Sequence, residues 1–381
     1  MEQLLTLKQK FFMSEQQPHP LFKKHIQKAS RFQLRKPTPN KQNWTTFYKL
    51  SSNENLLGPS PLALDAMKMS LDQLYEYDHY DDFQFQDTLS AFFDHQLKSG
   101  QFITANSGVE VLEIICRGLV SVGSECIISS PTFSPYKNII ELEGGVVVDV
   151  PLTEGDFQLD VEGILQKVNS ETALVFLTNP NNPTGTYASK EKIDYLLSKL
   201  PDWVVVVYDE VYFHFVDQDD FPYAIDYVKA GKNLIGLHTF SKIYGLAGLR
   251  IGYGFTTPQI GEYLNKIFRP FRIGTLPIIA ATAALKDNEH VKKSQQMVWE
   301  GKKFLYQVFD QLGINYLPTQ GNFILFSSPI PSLDLAKKML DEGVMIRPGD
   351  NFGAPGYIRL TIGPQAANER FVEVFKKLIG A

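Results

Sequence analysis

The sequence predicts an α/β fold: a mostly parallel sheet sandwiched by helices, followed by a smaller α+β C-terminal domain. Two observations carry this expectation. Between about residues 100 and 255, short runs of consecutive apolar residues alternate with segments of helical spacing. That is the pattern of strands buried on both faces and joined by crossover helices. Beyond that region the texture changes to an irregular entry and helix over 271–286, then long helical patterns flanking two isolated strands. At 381 residues, 44% of them hydrophobic, the chain is long enough for one large domain or two ordinary ones with a sizeable core. The expected division is an N-terminal arm over 1–50, a large domain over 51–275 and a small domain over 276–381.

Residues 1–50 are polar, with Lys, Gln and Pro-rich patches such as 35–40. Residues 4–12 have the spacing of a short helix. The rest reads as an extended arm which, lacking its own core, packs on the small domain or on a partner subunit. A turn-rich loop over 52–61 leads into a helix expected at 61–74. Tyr75, Tyr77 and Tyr80 then fall within six residues of polar loop. A phenol there can reach a phosphate or a substrate, and an amphipathic surface loop is an equally good reading. Residues 83–95 have helical spacing.

The expected strands of the large domain are 102–105, 126–128, 146–150, 173–177, 204–208, 234–237 and 251–255. Their carboxyl ends are where open α/β sheets collect ligands. The first runs into Asn106, Ser107, Gly108 and Val109 at a helix start, where free backbone N–H groups suit an anion. The second leads to Phe133 in a proline-bounded turn, placed to stack on a flat ring. The fourth enters the rigid turn Thr178-Asn179-Pro180-Asn181-Asn182-Pro183. The fifth ends at Asp209, a carboxylate that is expensive there without a cationic partner. In the small domain, helices are expected at 290–312, 332–342 and 366–379 around strands at 323–326 and 357–362.

The stretch that organises the chain is 239–250, between two apolar strands. Lys242 follows the first, small residues fill the loop, and Arg250 comes eight residues later. A desolvated lysine becomes a nucleophile for carbonyls, and an arginine fork suits a phosphate. An amine for an aldehyde beside a guanidinium for a phosphate describes a pocket for pyridoxal phosphate. A plain turn with both cations turned to solvent is the bland alternative for this stretch taken alone.

The net charge of −5, with no basic run, argues against a nucleic-acid partner. Two cysteines, Cys116 and Cys126, lack metal-type spacing, and the seven histidines form no metal motif. No run approaches the ~20 apolar residues of a membrane helix. These observations lead us to expect a cytoplasmic protein with neither metal nor membrane partner.

Asn-Pro-Asn-Asn-Pro-Thr-Gly at 179–185, Asp209-Glu210-x-Tyr212, Ser241-Lys242-x3-Leu246-Ala247-Gly248-Leu249-Arg250 and Arg359 in an Ile-Arg-Leu-Thr-Ile-Gly run occur in one order and spacing. Together they resemble the class I/II aminotransferases of fold type I. The 53–61 loop and the chain length are most similar to the histidinol-phosphate aminotransferases among them. The resemblance covers about 50–380 and implies a seven-stranded-type sheet, a homodimer and pyridoxal 5′-phosphate as cofactor. It implies Lys242 as Schiff-base lysine and proton shuttle, and Asp209 as partner of the ring nitrogen. Tyr212 and Asn182 would bind the ring's phenolic oxygen, with Phe133 on the ring face. Arg250, Ser241 and the Ser107-Gly108-Val109 helix start would hold the phosphate, and Tyr77 would reach the phosphate of the neighbouring subunit. Arg359 would clamp the substrate carboxylate, with Arg347 a candidate for a second acidic group. Val109 stands where the family often has a polar or acidic residue. The reaction implied is ping-pong transfer from an amino donor, histidinol phosphate being the leading candidate, to 2-oxoglutarate. Decarboxylases and lyases of the same fold and aromatic amino acid aminotransferases share most of these motifs and stay open as alternatives.

Overall fold

The computed structural model describes residues 21–29, 47–75, 77, 82–267, 269 and 271–381. The expected helix over 4–12, most of the arm and most of the 76–81 loop lie outside them. In chain order the strands are β1 (Tyr48–Lys49), β2 (Phe102–Ala105), β3 (Glu125–Ile128), β4 (Val146–Asp149), β5 (Thr172–Thr178) and β6 (Val205–Asp209). They continue with β7 (Leu234–Thr239), β8 (Gly252–Thr256), β9 (Phe323–Ser327), β10 (Val344–Met345), β11 (Arg347–Pro348) and β12 (Tyr357–Thr361).

Seven strands form one sheet in the order β2-β8-β7-β6-β5-β3-β4. Its pairs are parallel except at β8, which runs antiparallel to both neighbours. Alternation along each strand feeds two separate cores. Val205, Val207, Leu174, Phe176, Ile235 and Leu237 face one, under helix Gly108–Leu119. Val206, Tyr208, Val175, Leu177 and Leu234 face the other. That second core runs on into the C-terminal part, where Phe309, Phe326, Phe371 and Phe375 are fully buried. The small sheet β11-β12-β9 is antiparallel and backed by helices Asn288–Leu312, Ser332–Asp341 and Gln365–Ile379. The α/β expectation therefore describes the fold.

Three features depart from the sequence reading or escaped it. The helix from Pro61 stops at Lys68, and a separate 3-10 turn covers Leu71–Gln73. Ser70 Oγ donates to Ala66 O at 3.0 Å, a back-bond that competes with helix continuation. Tyr48–Lys49 pairs in parallel with Val344–Met345, which stitches the chain ahead of the large sheet onto the small domain. Helix Pro61–Lys68 also packs on helix Thr275–Ala284. Among the described residues, no helix is long and apolar enough to cross a membrane.

The 239–250 loop is held against the 53–60 loop at close range. Gly245 has φ +69°, and a Cβ there would overlap the carbonyl of Gly58. Ser60 N donates to Tyr244 O at 3.0 Å across the same contact. Gly245→Ala is therefore expected to destabilise the protein by about 1–3 kcal/mol, read as a lower thermal unfolding midpoint. An unchanged midpoint would show that the two loops can separate freely.

Candidate active site

The carboxyl ends of three neighbouring parallel strands meet one cleft. Thr178 ends β5, Asp209 ends β6 and Thr239 ends β7, and all three line a cavity of about 710 Å³. That lies within the ~300–1,000 Å³ range of small-molecule sites. Arg347 on β11, Arg359 on β12 and Phe352, from the C-terminal part of the chain, line the same cavity.

Asp209 is only 4% exposed. Its Oδ2 accepts from the Tyr136 hydroxyl at 2.6 Å and its Oδ1 from Val211 N at 3.3 Å. Burial pushes this carboxyl up to about 6, against the opposing pull of those two donors and of Lys242. The cleft floor thus offers a desolvated acid that gains from a cation placed beside it. Tyr136 also sits 2.8 Å from Thr178 Oγ1, and its ring packs edge-on to Phe133 at 5.4 Å.

Lys242 Nζ donates to Ser52 O at 3.3 Å and stands 5.5 Å from the centre of the Tyr212 ring. Lys242 is half-buried, not buried as the strand context implied. It lies three residues past the last residue of β7, where the turn has already risen to the cleft wall. Tyr212 is buried, and its hydroxyl accepts from Asn53 Nδ2 at 3.0 Å. Asn53 itself is left-handed at φ +56°. It is tied to the small domain by Thr361 Oγ1, which accepts from its N–H at 2.9 Å, and by Asn322 Nδ2, which donates to its carbonyl at 3.1 Å.

The cleft is also lined by Ser107, Gly108 and Val109, opening the twelve-residue helix Gly108–Leu119, and by Ser241 and Arg250. The first N–H groups of that helix have no partner within it, so they can receive an anion. Gly252 leaves room for this turn, since a Cβ there would come within 2.6 Å of Gly108 N. Arg250 is exposed and left-handed at φ +55°, its Nη1 donating to Ala247 O at 3.0 Å.

Arg347 and Arg359 are cross-strand neighbours on β11 and β12. Arg359 is buried; its Nη1 donates to Asn182 Oδ1 at 2.5 Å and its Nη2 to Ser51 O at 3.0 Å. Its guanidinium also lies 5.4 Å from the Phe352 ring and 5.6 Å from that of Phe323. Like charges on paired positions repel, so this arrangement suits an incoming anion.

Twelve of the thirteen residues singled out from the sequence thus line one cavity: Ser107, Gly108, Val109, Phe133, Asn182, Asp209, Tyr212, Ser241, Lys242, Arg250, Arg347 and Arg359. The thirteenth, Tyr77, does not. It is 79% exposed, with its ring 4.5 Å from that of Phe271. Among the site residues that escaped the sequence reading are Tyr136, Asn53 and Phe352. Asn53 had one usable signal, since asparagine tolerates the left-handed conformation better than most residues.

A donor set of one amine, a buried carboxylate, two phenols and a helix start with an arginine fits a flat, cationic, phosphate-bearing aldehyde. Comparison with known proteins agrees. The family model "Aminotransferase class I and II" matches residues 45–375. The histidinol-phosphate aminotransferase of Moorella thermoacetica is 39% identical over 332 residues, 87% of this chain and 85% of that protein. That of Bdellovibrio bacteriovorus is 36% identical over 351 residues, 90% of this chain and 94% of the relative. Among solved structures, the histidinol-phosphate aminotransferase from Sinorhizobium meliloti in complex with pyridoxal-5′-phosphate superposes with a TM-score of 0.80 at 25% identity. The match covers 94% of this chain and 99% of that one. With a family match over residues 45–375, which hold the cleft and both the seven-stranded and the three-stranded sheet, this protein belongs to the class I and II aminotransferases.

Proposed function

We propose that the protein is a cytoplasmic, pyridoxal-phosphate-dependent aminotransferase that moves an amino group from histidinol phosphate to 2-oxoglutarate by a ping-pong route. The observation that carries the reading is a buried carboxylate, Asp209, and an amine, Lys242, on one cleft roofed by two arginines. Pyridoxal 5′-phosphate, when bound, supplies an aldehyde that condenses with amines and a ring that takes up the charge left on the substrate carbon.

The chain's own groups do the rest. Asp209 would hold the ring nitrogen in its cationic form, with the Tyr136 hydroxyl bonded to that carboxylate. Tyr212 and Asn182 would hold the ring's phenolic oxygen, and Phe133 would cover its face. Ser107, Gly108, Val109, Ser241 and Arg250 would hold the phosphate. Lys242 Nζ would supply the amine for the aldehyde and the base for the substrate's Cα proton, a role worth about 10²–10⁴ in rate. Arg359, oriented by Asn182 and the Ser51 carbonyl, binds the anionic group of the substrate, with Arg347 beside it. Two guanidinium groups on adjacent strands suit a donor whose tail is a phosphate, and a 2-oxo acid binds there in the second half-reaction.

The active form is a homodimer. Met69, Leu71, Leu74, Tyr75, Tyr77 and Phe271 are all more than half exposed, an apolar cost that a second copy would relieve. Tyr77 would then reach the partner's phosphate site.

The test is a panel of amino donors added to purified holoenzyme, read by loss of the visible cofactor band. Histidinol phosphate is expected to bleach the band at the lowest concentration, and 2-oxoglutarate to restore it. An aromatic amino acid that bleaches it more efficiently would move the substrate assignment. Stoichiometric carbon dioxide or ammonia would replace transfer with decarboxylation or elimination.

A further inference from the structure

Glu210 directly follows Asp209, and strand alternation sends the two side chains to opposite faces of the sheet. Asp209 lines the cleft, whereas Glu210, 1% exposed, turns into the core behind it. There Glu210 Oε1 lies 2.7 Å from His238 Nε2, and Glu210 Oε2 accepts from Ala224 N at 3.0 Å. His238 is the fifth residue of β7, four before Lys242, and is 4% exposed. Its Nδ1 lies 2.8 Å from the Tyr253 hydroxyl. The Phe213 ring stacks on the imidazole at 4.4 Å, and Phe255 meets it edge-on at 5.0 Å.

The backbone register of β6 with β7 ends at the pair Asp209 and Leu237. The bond between Glu210 and His238 is the next rung, made by side chains after the backbone ladder has stopped. Beyond it β6 departs towards Tyr212 and β7 towards Lys242. A charged pair would be costly in this aromatic surrounding. Burial pushes Glu210 up to about 8 and His238 down to about 3, so both favour their neutral forms. The carboxylic acid then donates to Nε2, its carbonyl oxygen accepts from Ala224 N–H, and Nδ1–H donates to the Tyr253 oxygen. Each carboxyl oxygen and each ring nitrogen has a complementary partner in that arrangement.

We propose that the hydrogen bond between Glu210 and His238 sets the spacing between the carboxyl ends of β6 and β7, and so holds Asp209 and Lys242 at the separation needed to act on one bound cofactor. Glu210 and His238 are positioning residues, since neither lines the cleft. The inference rests on the pyridoxal-phosphate reading above. Misplacement of reacting groups by about 1 Å can cost up to ~10²-fold in rate, and loss of an orienting partner behind a functional group costs about 10–100-fold.

The experiment compares Glu210→Leu, His238→Leu and Glu210→Gln as holoenzymes. It reads kcat and KM separately, together with the pH midpoint of the visible cofactor band. Both leucine variants are expected to lower kcat about 10–100-fold with KM within about threefold, and to displace the band midpoint. Glu210→Gln is expected to keep the parental kcat and midpoint, because an amide reproduces the donor to His238 and the acceptor for Ala224. Leucine variants with parental kcat and midpoint overturn the proposal, as does a glutamine variant as damaged as the leucine one. If the leucine variants fail to fold, the glutamine variant decides: a parental midpoint supports the proposal and a displaced one overturns it. Absence of the band from the parental enzyme would overturn the cofactor reading as well, whereas a normal parental band with unshifted variants overturns only this inference.

Discussion

Replacing Lys242 with alanine is expected to lower turnover by at least about 10²–10⁴-fold and to remove the visible absorbance of the lysine-bound cofactor. Lys242 is the one lysine among the described residues that line the cleft, so no neighbouring amine can take over. The three other cations there are arginines, which do not give up a proton in the working pH range. Borohydride reduction followed by peptide mass mapping checks the assignment. The parental protein should carry the adduct on the peptide containing Lys242, and the variant should carry none. An adduct on another residue, or turnover within tenfold of the parent, would sink the proposed chemistry.

Asp209→Asn is expected to reduce kcat by about 10²–10³-fold, the usual range for loss of one preorganised electrostatic partner. It should weaken cofactor binding as well, which equilibrium dialysis measures. The same substitution tests the electrostatics of the apoprotein. Folded Asp209 titrates near 6, above the ordinary carboxylate value. Between about pH 4 and pH 6 the folded chain therefore holds a proton there that the unfolded chain has lost. Stability of the apoprotein accordingly falls as the pH rises through that window, by on the order of 3 kcal/mol in all. Above it, the folded protein carries a buried anion that a cationic ring nitrogen relieves. An amide cannot ionise, so the variant apoprotein should lose this slope and gain stability near neutral pH while binding cofactor less well. Denaturant unfolding of both apoproteins between about pH 4 and pH 8 distinguishes the cases. Equal slopes would mean that Asp209 is solvated in the folded chain.

The large sheet was legible because its strands are buried on both faces, and a run such as Val204-Val205-Val206-Val207-Tyr208 has few other uses. The cleft was legible because chemistry-bearing residues follow those runs directly. Asp209 is the last residue of β6, and Lys242 lies in the turn after β7. A short strand such as Tyr48–Lys49 was not legible. Two residues show no period, and the partner, Val344–Met345, lies almost three hundred positions away. Tyr136 closes the turn that carries Phe133, and nothing in the sequence singled it out. Its hydroxyl matters because the fold brings Oη to Thr178 at the end of β5 and to Asp209 at the end of β6. Arg347 was a weaker candidate than Arg359 in the sequence, and it gains weight from its antiparallel pairing with Arg359.

The order of apolar runs and turns by itself determined which side chains emerge at strand ends. That order is local and periodic, and it already held Lys242, Asp209, Tyr212 and Arg250 as a set. Only the tertiary structure decided how those groups are oriented. Asn53 reaches Tyr212, Asn182 reaches Arg359, and Glu210 reaches His238, through bonds between residues 28 to 177 positions apart. No spacing rule records such bonds, because they depend on which strands lie side by side and on which face each side chain leaves.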